Sequence, residues 1–449
     1  MRLFGTDGVR GKAGEAPLDV VTIRRLGAAL VRAMRHGDAS PSAPEIKFLV
    51  GRDTRESGEW IERELALGVR SQGGTLTSAG IIPTPAVAYL TPRMGYTAGV
   101  VISASHNPFE DNGIKVFSGA GEKFTEALEQ LVESIVADTS WNVPAGQPGP
   151  VEQVDLRSEY IAHLREILPR EARQAGMRIA VDCANGATTT VAPRLFEDLG
   201  FEVHLIGNLP DGRNINLKSG STAPDALSSL VVEGRYRLGV AFDGDGDRAI
   251  FVDAKGTIVT GDAVMLMCAK RMKQEQRLPG HAIVATVMSN IGLELALKAA
   301  GIDMFRCPVG DKYVMEEMIK RGLALGGEQS GHIIFSEYLF TGDGLATALN
   351  VLRTMARTGR ELADLASELT SYPQVLLNLR VGRKADLRAI PSVVTVMDAV
   401  EARLAGHGRL LVRYSGTEPL LRVMLEGRDE GELRQWGQEI VDAAKAALT

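Results

Sequence analysis

The sequence predicts an α/β protein of three or four layered domains. Three observations carry that prediction. Short apolar runs of strand length alternate with longer helical patterns over most of the chain. At 449 residues the chain exceeds what one hydrophobic core normally serves. Most of the apolar runs lead straight into loops rich in Gly, Asp or Asn, and open α/β sheets bind ligands in such loops, beyond the carboxyl ends of their strands. A composition of 45% apolar and 24% charged residues supplies cores without marking the chain as disordered.

Taken in chain order, the first helix begins after Asp19, a suitable N-cap, and sets Ile23, Leu26, Leu30 and Met34 on one face. Gly37 is expected to end it, before a loop from Ser40 to Pro44. Buried strands are predicted at Ile46–Val50, Ala98–Ile102, Met177–Val181, Leu238–Phe242 and Ala249–Val252. The stretch Asn142–Pro150 has the composition of a linker, and a helical pattern resumes at Arg157–Leu168. A second break falls near Ser371-Tyr372-Pro373, ahead of a strand-like run Gln374–Val381, and a weaker one near Gly256 to Gly261. The chain closes on an amphipathic helix from about Glu430 to Leu448, and it carries no short tandem repeat.

Charge and cysteine usage exclude several classes. Fifty basic against 56 acidic residues leave a net charge of −6, so nothing in the total favours nucleic acid or an anionic membrane. An anionic small substrate would need a local basic pocket. Cys183, Cys268 and Cys307 are odd in number and far apart, which argues against a disulfide scaffold or zinc site and for a reducing compartment. The N-terminus carries charge and glycine where a signal peptide needs an apolar stretch, and no apolar run approaches the ~20 residues of a membrane span. A cytoplasmic location is expected.

Two loops carry the chemistry. After the strand Leu238–Phe242 come Asp243, Asp245 and Asp247, separated by glycines and followed by Arg248. Alternate carboxylates on a tightly curved backbone can converge on one cation, and without one they repel each other. An EF-hand fails here, because its sixth and twelfth positions fall on Arg248 and Ala254. A Mg²⁺ site open to a phosphate oxygen is preferred, and a phosphatase with Asp243 as nucleophile stays open. The second loop, Ser103-Ala104-Ser105-His106-Asn107-Pro108, follows the strand Ala98–Ile102 and leads to Asp111-Asn112-Gly113-Ile114-Lys115. A serine hydrolase is disfavoured: G-x-S-x-G is absent, and neighbours such as Ser105 and His106 tend to point apart in an extended loop.

Further on, Gly326–His332 displays the donors and acceptors that grip sugar hydroxyls. The run Arg413-Tyr414-Ser415-Gly416-Thr417-Glu418-Pro419, with Arg422, supplies two guanidiniums, two hydroxyls and backbone N–H groups, the inventory of a phosphate cradle. The Gly/Asp/Arg loops Phe4–Gly11 and Gly51–Arg55 decide nothing by themselves.

Together these segments resemble the α-D-phosphohexomutase superfamily and, within it, the branch of bacterial phosphoglucosamine mutases. The resemblance runs almost end to end, through F-G-T-D-G-V-R-G at Phe4, S-A-S-H-N-P and D-N-G-I-K around Ser105, D-G-D-G-D-R at Asp243, G-E-Q-S-G-H at Gly327 and R-Y-S-G-T-E-P at Arg413. It implies four domains around a central cleft: three related α/β/α sandwich domains at 1–150, 151–256 and 257–370, carrying the phosphoserine, metal and sugar loops, and a smaller C-terminal α+β domain at 371–449 with the phosphate-binding loop.

By the same resemblance Ser105 is the serine that carries phosphate, and Asp243, Asp245 and Asp247 hold one Mg²⁺ together with the phosphate of Ser105. Glu328 and Ser330 contact the sugar. Arg413, Ser415, Gly416, Thr417 and Arg422 hold the substrate's non-reacting phosphate. Arg10, Lys115, Arg248 and His332 line the reaction centre, with Lys115 or His332 able to move protons. The implied reaction interconverts glucosamine 6-phosphate and glucosamine 1-phosphate through a 1,6-bisphosphate, feeding UDP-N-acetylglucosamine and peptidoglycan synthesis. Gln329 between Glu328 and Ser330 is the pattern of the glucosamine branch, where the mannose/glucose branch usually has Met. A phosphomannomutase/phosphoglucomutase with the same mechanism and a sugar-phosphate-binding regulator are the competing readings. The expected partner is a small sugar phosphate, with no nucleic acid and no membrane, in a monomer or homodimer.

Overall fold

A computed structural model describes residues 3–5, 7–35, 45–144, 146–415 and 419–448. The chain divides into two compact units, residues 1–288 with 302–368, and residues 289–301 with 369–449.

The first unit contains three mixed sheets. The N-terminal sheet runs, edge to edge, Phe4–Gly5, Gly8–Lys12, Asp111–Ser118, Ala98–Ile102, Lys47–Arg52, Thr75–Ile81 and Glu152–Gln153. Its core gathers Phe48, Val50, Val100, Ile102 and Ile114 with Leu26 and Leu30 of the first helix. That helix spans Val20–Met34, and Asp19 caps it as expected: its carboxylate accepts the N–H groups of Val21 and Thr22 at 3.0 Å. Gly37 and the loop Ser40–Pro44 lie outside the described residues.

The second sheet orders Ile258–Val259, Ala249–Asp253, Leu238–Phe242, Arg178–Asp182 and Glu202–Ile206. The third orders Asp303–Cys307, Ala282–Thr286, Leu325–Gly327 and Ile333–Phe335. One device recurs in all three. A buried strand runs parallel to a neighbour, ends in a polar loop, and returns as an antiparallel strand: Ala98–Ile102 with Asp111–Ser118, Leu238–Phe242 with Ala249–Asp253, Leu325–Gly327 with Ile333–Phe335. The return strand fixes both ends of the loop, so its side chains are held by two ladders instead of one.

The second unit is α+β. Gln374–Arg380, Leu420–Glu426 and Arg409–Tyr414 form an antiparallel sheet in that order, with helices Pro391–Leu404 and Glu430–Leu448 packed through Val393, Val400, Ile440 and Ala444. Among the described residues no helix is long and apolar enough to cross a membrane.

Candidate active site

The three loops of the first unit supply one cluster. Ala98–Ile102 is buried throughout and delivers Ser105, which is itself buried. Ser105 has φ 53°, a left-handed conformation that costs a residue with a Cβ roughly 1–2 kcal/mol. Its N–H donates to Ser103 Oγ at 2.9 Å, and its Oγ donates to Asp243 Oδ2 at 2.5 Å.

That geometry corrects one expectation. Ser105 and His106 do not point apart: Ser105 Oγ lies 3.3 Å from His106 Nδ1. Neighbouring side chains diverge on extended backbone, and the positive φ of Ser105 departs from it. Burial, then Arg248 and Arg10, lower the His106 pKa to about 4, so the ring is neutral near pH 7.

The acidic turn closes around Ser105. Carboxylate oxygens of Asp243, Asp245 and Asp247 all lie within 4.8 Å of one another, and all three residues are buried. Thr84 fixes Asp245 twice, its hydroxyl donating to Oδ2 at 2.6 Å and its N–H to the carbonyl at 2.9 Å. The Arg248 N–H donates to Asp243 Oδ1 at 3.1 Å. Asp245 Oδ1 and Asp247 Oδ1 are buried without a hydrogen-bond partner. Burial, then the charges of Asp247 and Asp245, push the Asp243 carboxyl well above the usual carboxylate range. Asp247 goes the other way: burial would raise it, but Lys115 and His332 hold it well below. Oxygen-only donors, two of them orphaned, fit a hard divalent cation.

Cations surround this turn. Lys115 enters from the return strand opposite Val101, and its Nζ sits 2.9 Å from Asp245, 3.1 Å from Asp7 and 3.3 Å from Asp247. Burial alone would depress the ammonium; Asp245, Asp7 and Asp247 outweigh it and raise it well above its ordinary range. Arg10 pairs with Gly113 along the sheet and with Asp7 as an ion pair. Arg248 and His332 form an isolated antiparallel bridge that joins the acidic turn to the third loop. His332 Nδ1 lies 3.5 Å from Asp247, and its Nε2 accepts the Gly342 N–H at 3.0 Å. Burial opposes charge on this ring, but Asp247 and Asp311 raise its pKa. The hydrogen bond from Gly342 works against that protonation at Nε2, since a protonated nitrogen cannot accept.

In the third loop, Glu328 Oε1 accepts the Gly310 N–H at 3.2 Å, and Ser330 Oγ donates to Glu328 Oε2 at 3.3 Å. Sequence reasoning missed Lys123 and Asp311. Lys123 Nζ donates to Asp7 Oδ1 at 2.7 Å and also to Asp311. A lone lysine gives no signal in the sequence. Asp7 stands within a segment the sequence flagged without a role.

In the second unit, Arg413 and Arg422 stand directly opposite each other on paired strands. Like charges so placed destabilise a sheet, and an anion between them removes the cost. Ser415 follows, buried, its carbonyl accepting from Lys384 Nζ at 2.6 Å. Gly416 and Thr417 lie outside the described residues.

Family profiles described as phosphoglucomutase/phosphomannomutase match the whole succession: α/β/α domain I over residues 1–142, domain II over 158–256, domain III over 260–372 and the C-terminal domain over 376–443. The phosphoglucosamine mutase of Solibacter usitatus is 47% identical over 447 residues, covering 99% of both chains. That of Moorella thermoacetica is 48% identical, covering 96% of each. A phosphoglucomutase/phosphomannomutase family protein from Burkholderia thailandensis shares the fold with a TM-score of 0.80 at 24% identity, covering 99% of this chain and 97% of its own. Sequence identity at this level over the full length, on a four-domain α/β fold with the serine, acidic and sugar loops assembled as described, places the chain in the phosphoglucosamine mutase family of the phosphohexomutases.

Proposed function

We propose that the protein interconverts glucosamine 6-phosphate and glucosamine 1-phosphate by way of phosphorylated Ser105 and a glucosamine 1,6-bisphosphate. The observation that carries this reading is the hydroxyl of Ser105 set 2.5 Å from Asp243 inside the three-aspartate turn. A serine there is both a phosphoryl carrier and a neighbour of the charge-neutralising site.

In the first transfer the bond from phosphorus to Ser105 Oγ breaks, and one forms to the free hydroxyl oxygen on C1 of glucosamine 6-phosphate. The hydroxyl proton leaves to a base, and Ser105 recovers a proton. The 1,6-bisphosphate turns over in the site. Its other phosphoryl then passes from the C6 oxygen to Ser105 Oγ, the Ser105 hydroxyl giving up its proton and the C6 oxygen taking one, which leaves glucosamine 1-phosphate. Asp243, Asp245 and Asp247 would hold Mg²⁺, which supplies neutralisation of the migrating charge when bound. The orphaned oxygens of Asp245 and Asp247 support that assignment.

Lys115, Arg248 and Arg10 suit stabilisation of the equatorial phosphoryl oxygens. Lys115, hemmed in by three carboxylates, keeps its proton; this favours His332 over Lys115 as the group that exchanges one. Glu328 and Ser330 would grip the sugar hydroxyls. Arg413, Ser415, Gly416, Thr417 and Arg422 would take the phosphate that is not reacting, the opposed arginines being supporting evidence. Free, buried Cys183, Cys268 and Cys307 accord with a cytoplasmic enzyme.

The test is ³¹P NMR of protein with Mg²⁺, glucosamine 6-phosphate and a trace of the 1,6-bisphosphate, for wild type and Ser105→Ala, with glucose and mannose 6-phosphates as competitors. Glucosamine 1-phosphate should form fastest, and only with Ser105 present. Inorganic phosphate formed equally by Ser105→Ala would make Asp243 the nucleophile and end the mutase reading.

A further inference from the structure

The geometry points to Arg55 and Asn216 as a two-sided clamp that positions Ser105 for phosphoryl transfer, an inference that rests on the mutase reading above. Arg55 belongs to the Gly51–Arg55 segment, and Asn216 to the loop after the strand Glu202–Ile206; the mechanism uses neither.

The Arg55 side chain is fully buried, and both of its terminal nitrogens are spent on carbonyls of the serine loop. Its Nε donates to Asp53 Oδ2 at 2.8 Å, and its Nη1 to the carbonyls of Pro108 and, at 2.9 Å, Asp111. Its Nη2 donates to the carbonyls of Ser105 at 3.0 Å and Asn107 at 2.8 Å. The amide Nδ2 of Asn216 meets the same two carbonyls, at 2.9 Å and 3.1 Å. Asp53 completes the frame, accepting from Ser103 Oγ at 2.5 Å, while Ser103 Oγ accepts the Ser105 N–H.

The two halves of the clamp are themselves locked together. Thr54 Oγ1 donates to the Asn185 carbonyl at 2.5 Å, the Glu56 N–H to the Gly212 carbonyl at 3.0 Å, and the Asn216 N–H to the Ala184 carbonyl at 2.9 Å. Asn216, like Ser105, is held at positive φ.

The physical need is specific. A dianion forms and leaves on Ser105 Oγ in every turnover, and a loop with a strained residue at its tip would relax to a different rotation of that oxygen. Holding the Ser105 carbonyl together with its N–H fixes the peptide planes on both sides of Ser105, the grip on the Asn107 carbonyl anchors the loop beyond His106, and together they aim Oγ toward Asp243. Arg55 can hold several carbonyls because its donors are a planar fork; a lysine ammonium cannot span them.

The experiment compares wild type, Asn216→Ala and Arg55→Lys. It reads the rate at which Ser105 takes phosphate from the 1,6-bisphosphate, by intact mass, together with kcat and KM and a thermal melt. Asn216→Ala should melt near wild type and keep its KM, with phosphorylation of Ser105 and kcat both slowed about 10- to 10²-fold, the scale of a sub-ångström to 1 Å misplacement. Arg55→Lys should lose at least as much. A folded Asn216→Ala that phosphorylates at the wild-type rate, or that changes KM alone, overturns the clamp. A wild type that acquires no phosphate on Ser105 overturns the mutase reading itself, and the clamp with it.

Discussion

Gly244→Ala adds one methyl group between the acidic turn and the serine loop, and its effect can be worked from the contacts. A Cβ at Gly244 would stand 2.5 Å from the Ser105 carbonyl oxygen and 2.8 Å from Asn216 Nδ2 and Ile215 Cδ1. Ordinary contact begins near 3.4 Å, so the backbone of one loop has to retreat from the other by about 0.9 Å. The carbonyl cannot swing aside, because Arg55 and Asn216 both hold it. Overpacking of this kind costs about 1–3 kcal/mol of stability. Moving Ser105 Oγ by about 1 Å from the aspartates costs about 10² in rate, equivalent to about 2.7 kcal/mol of barrier. Steady-state turnover of glucosamine 6-phosphate measures it, with Gly146→Ala as control, where the nearest atom would be Leu67 Cδ1 at 3.7 Å. The expected result is a kcat near one hundredth of wild type and a KM little changed, since the Glu328–Ser330 loop is untouched. Wild-type kcat in a folded Gly244→Ala would refute the reasoning that the close spacing of the two loops sets the position of Ser105 Oγ for catalysis.

Two other outcomes are expected. Asp343 caps the helix Gly344–Thr358 through the Ala346 N–H at 2.9 Å and accepts the Tyr160 hydroxyl at 2.7 Å; burial raises its pKa to about 6 despite both bonds. A carboxyl whose folded pKa lies above its unfolded value favours the folded state while protonated, so this contribution, about 3 kcal/mol at about 1.4 kcal/mol per pKa unit, is present below pH ~4 and lost as pH rises through 6. Asp343→Asn keeps the capping oxygen and should flatten the fall in stability between pH 4 and 6; denaturant melts that keep the wild-type slope would refute the assignment. Mg²⁺ added to EDTA-treated protein should raise the free energy of unfolding, by about 2.7 kcal/mol at a hundredfold excess over its Kd, and Asp245→Asn should shrink the rise. Identical melts with EDTA and with Mg²⁺ would remove the metal from the acidic turn.

Local physics controls the features that can be read directly from the chain. Asp19 capping Val20–Met34, the strands Ala98–Ile102 and Leu238–Phe242, and the final helix Glu430–Leu448 follow from apolar spacing and end signals within a dozen or so residues. The alternating aspartates and the serine loop were legible because their chemistry sits in one short run. Which charges meet is set by the folded chain. In the sequence Lys115 is a candidate for moving protons; three carboxylates, two of them from a loop 130 residues away, hold it as a cation. The Lys123–Asp311 pair, 188 residues apart, leaves no trace in either neighbourhood. The Ser105 carbonyl, on a residue held at positive φ, is gripped by Arg55 and Asn216 from segments 50 and 111 residues away. Such positions are set by the sum of distant contacts, and no window of sequence contains that sum.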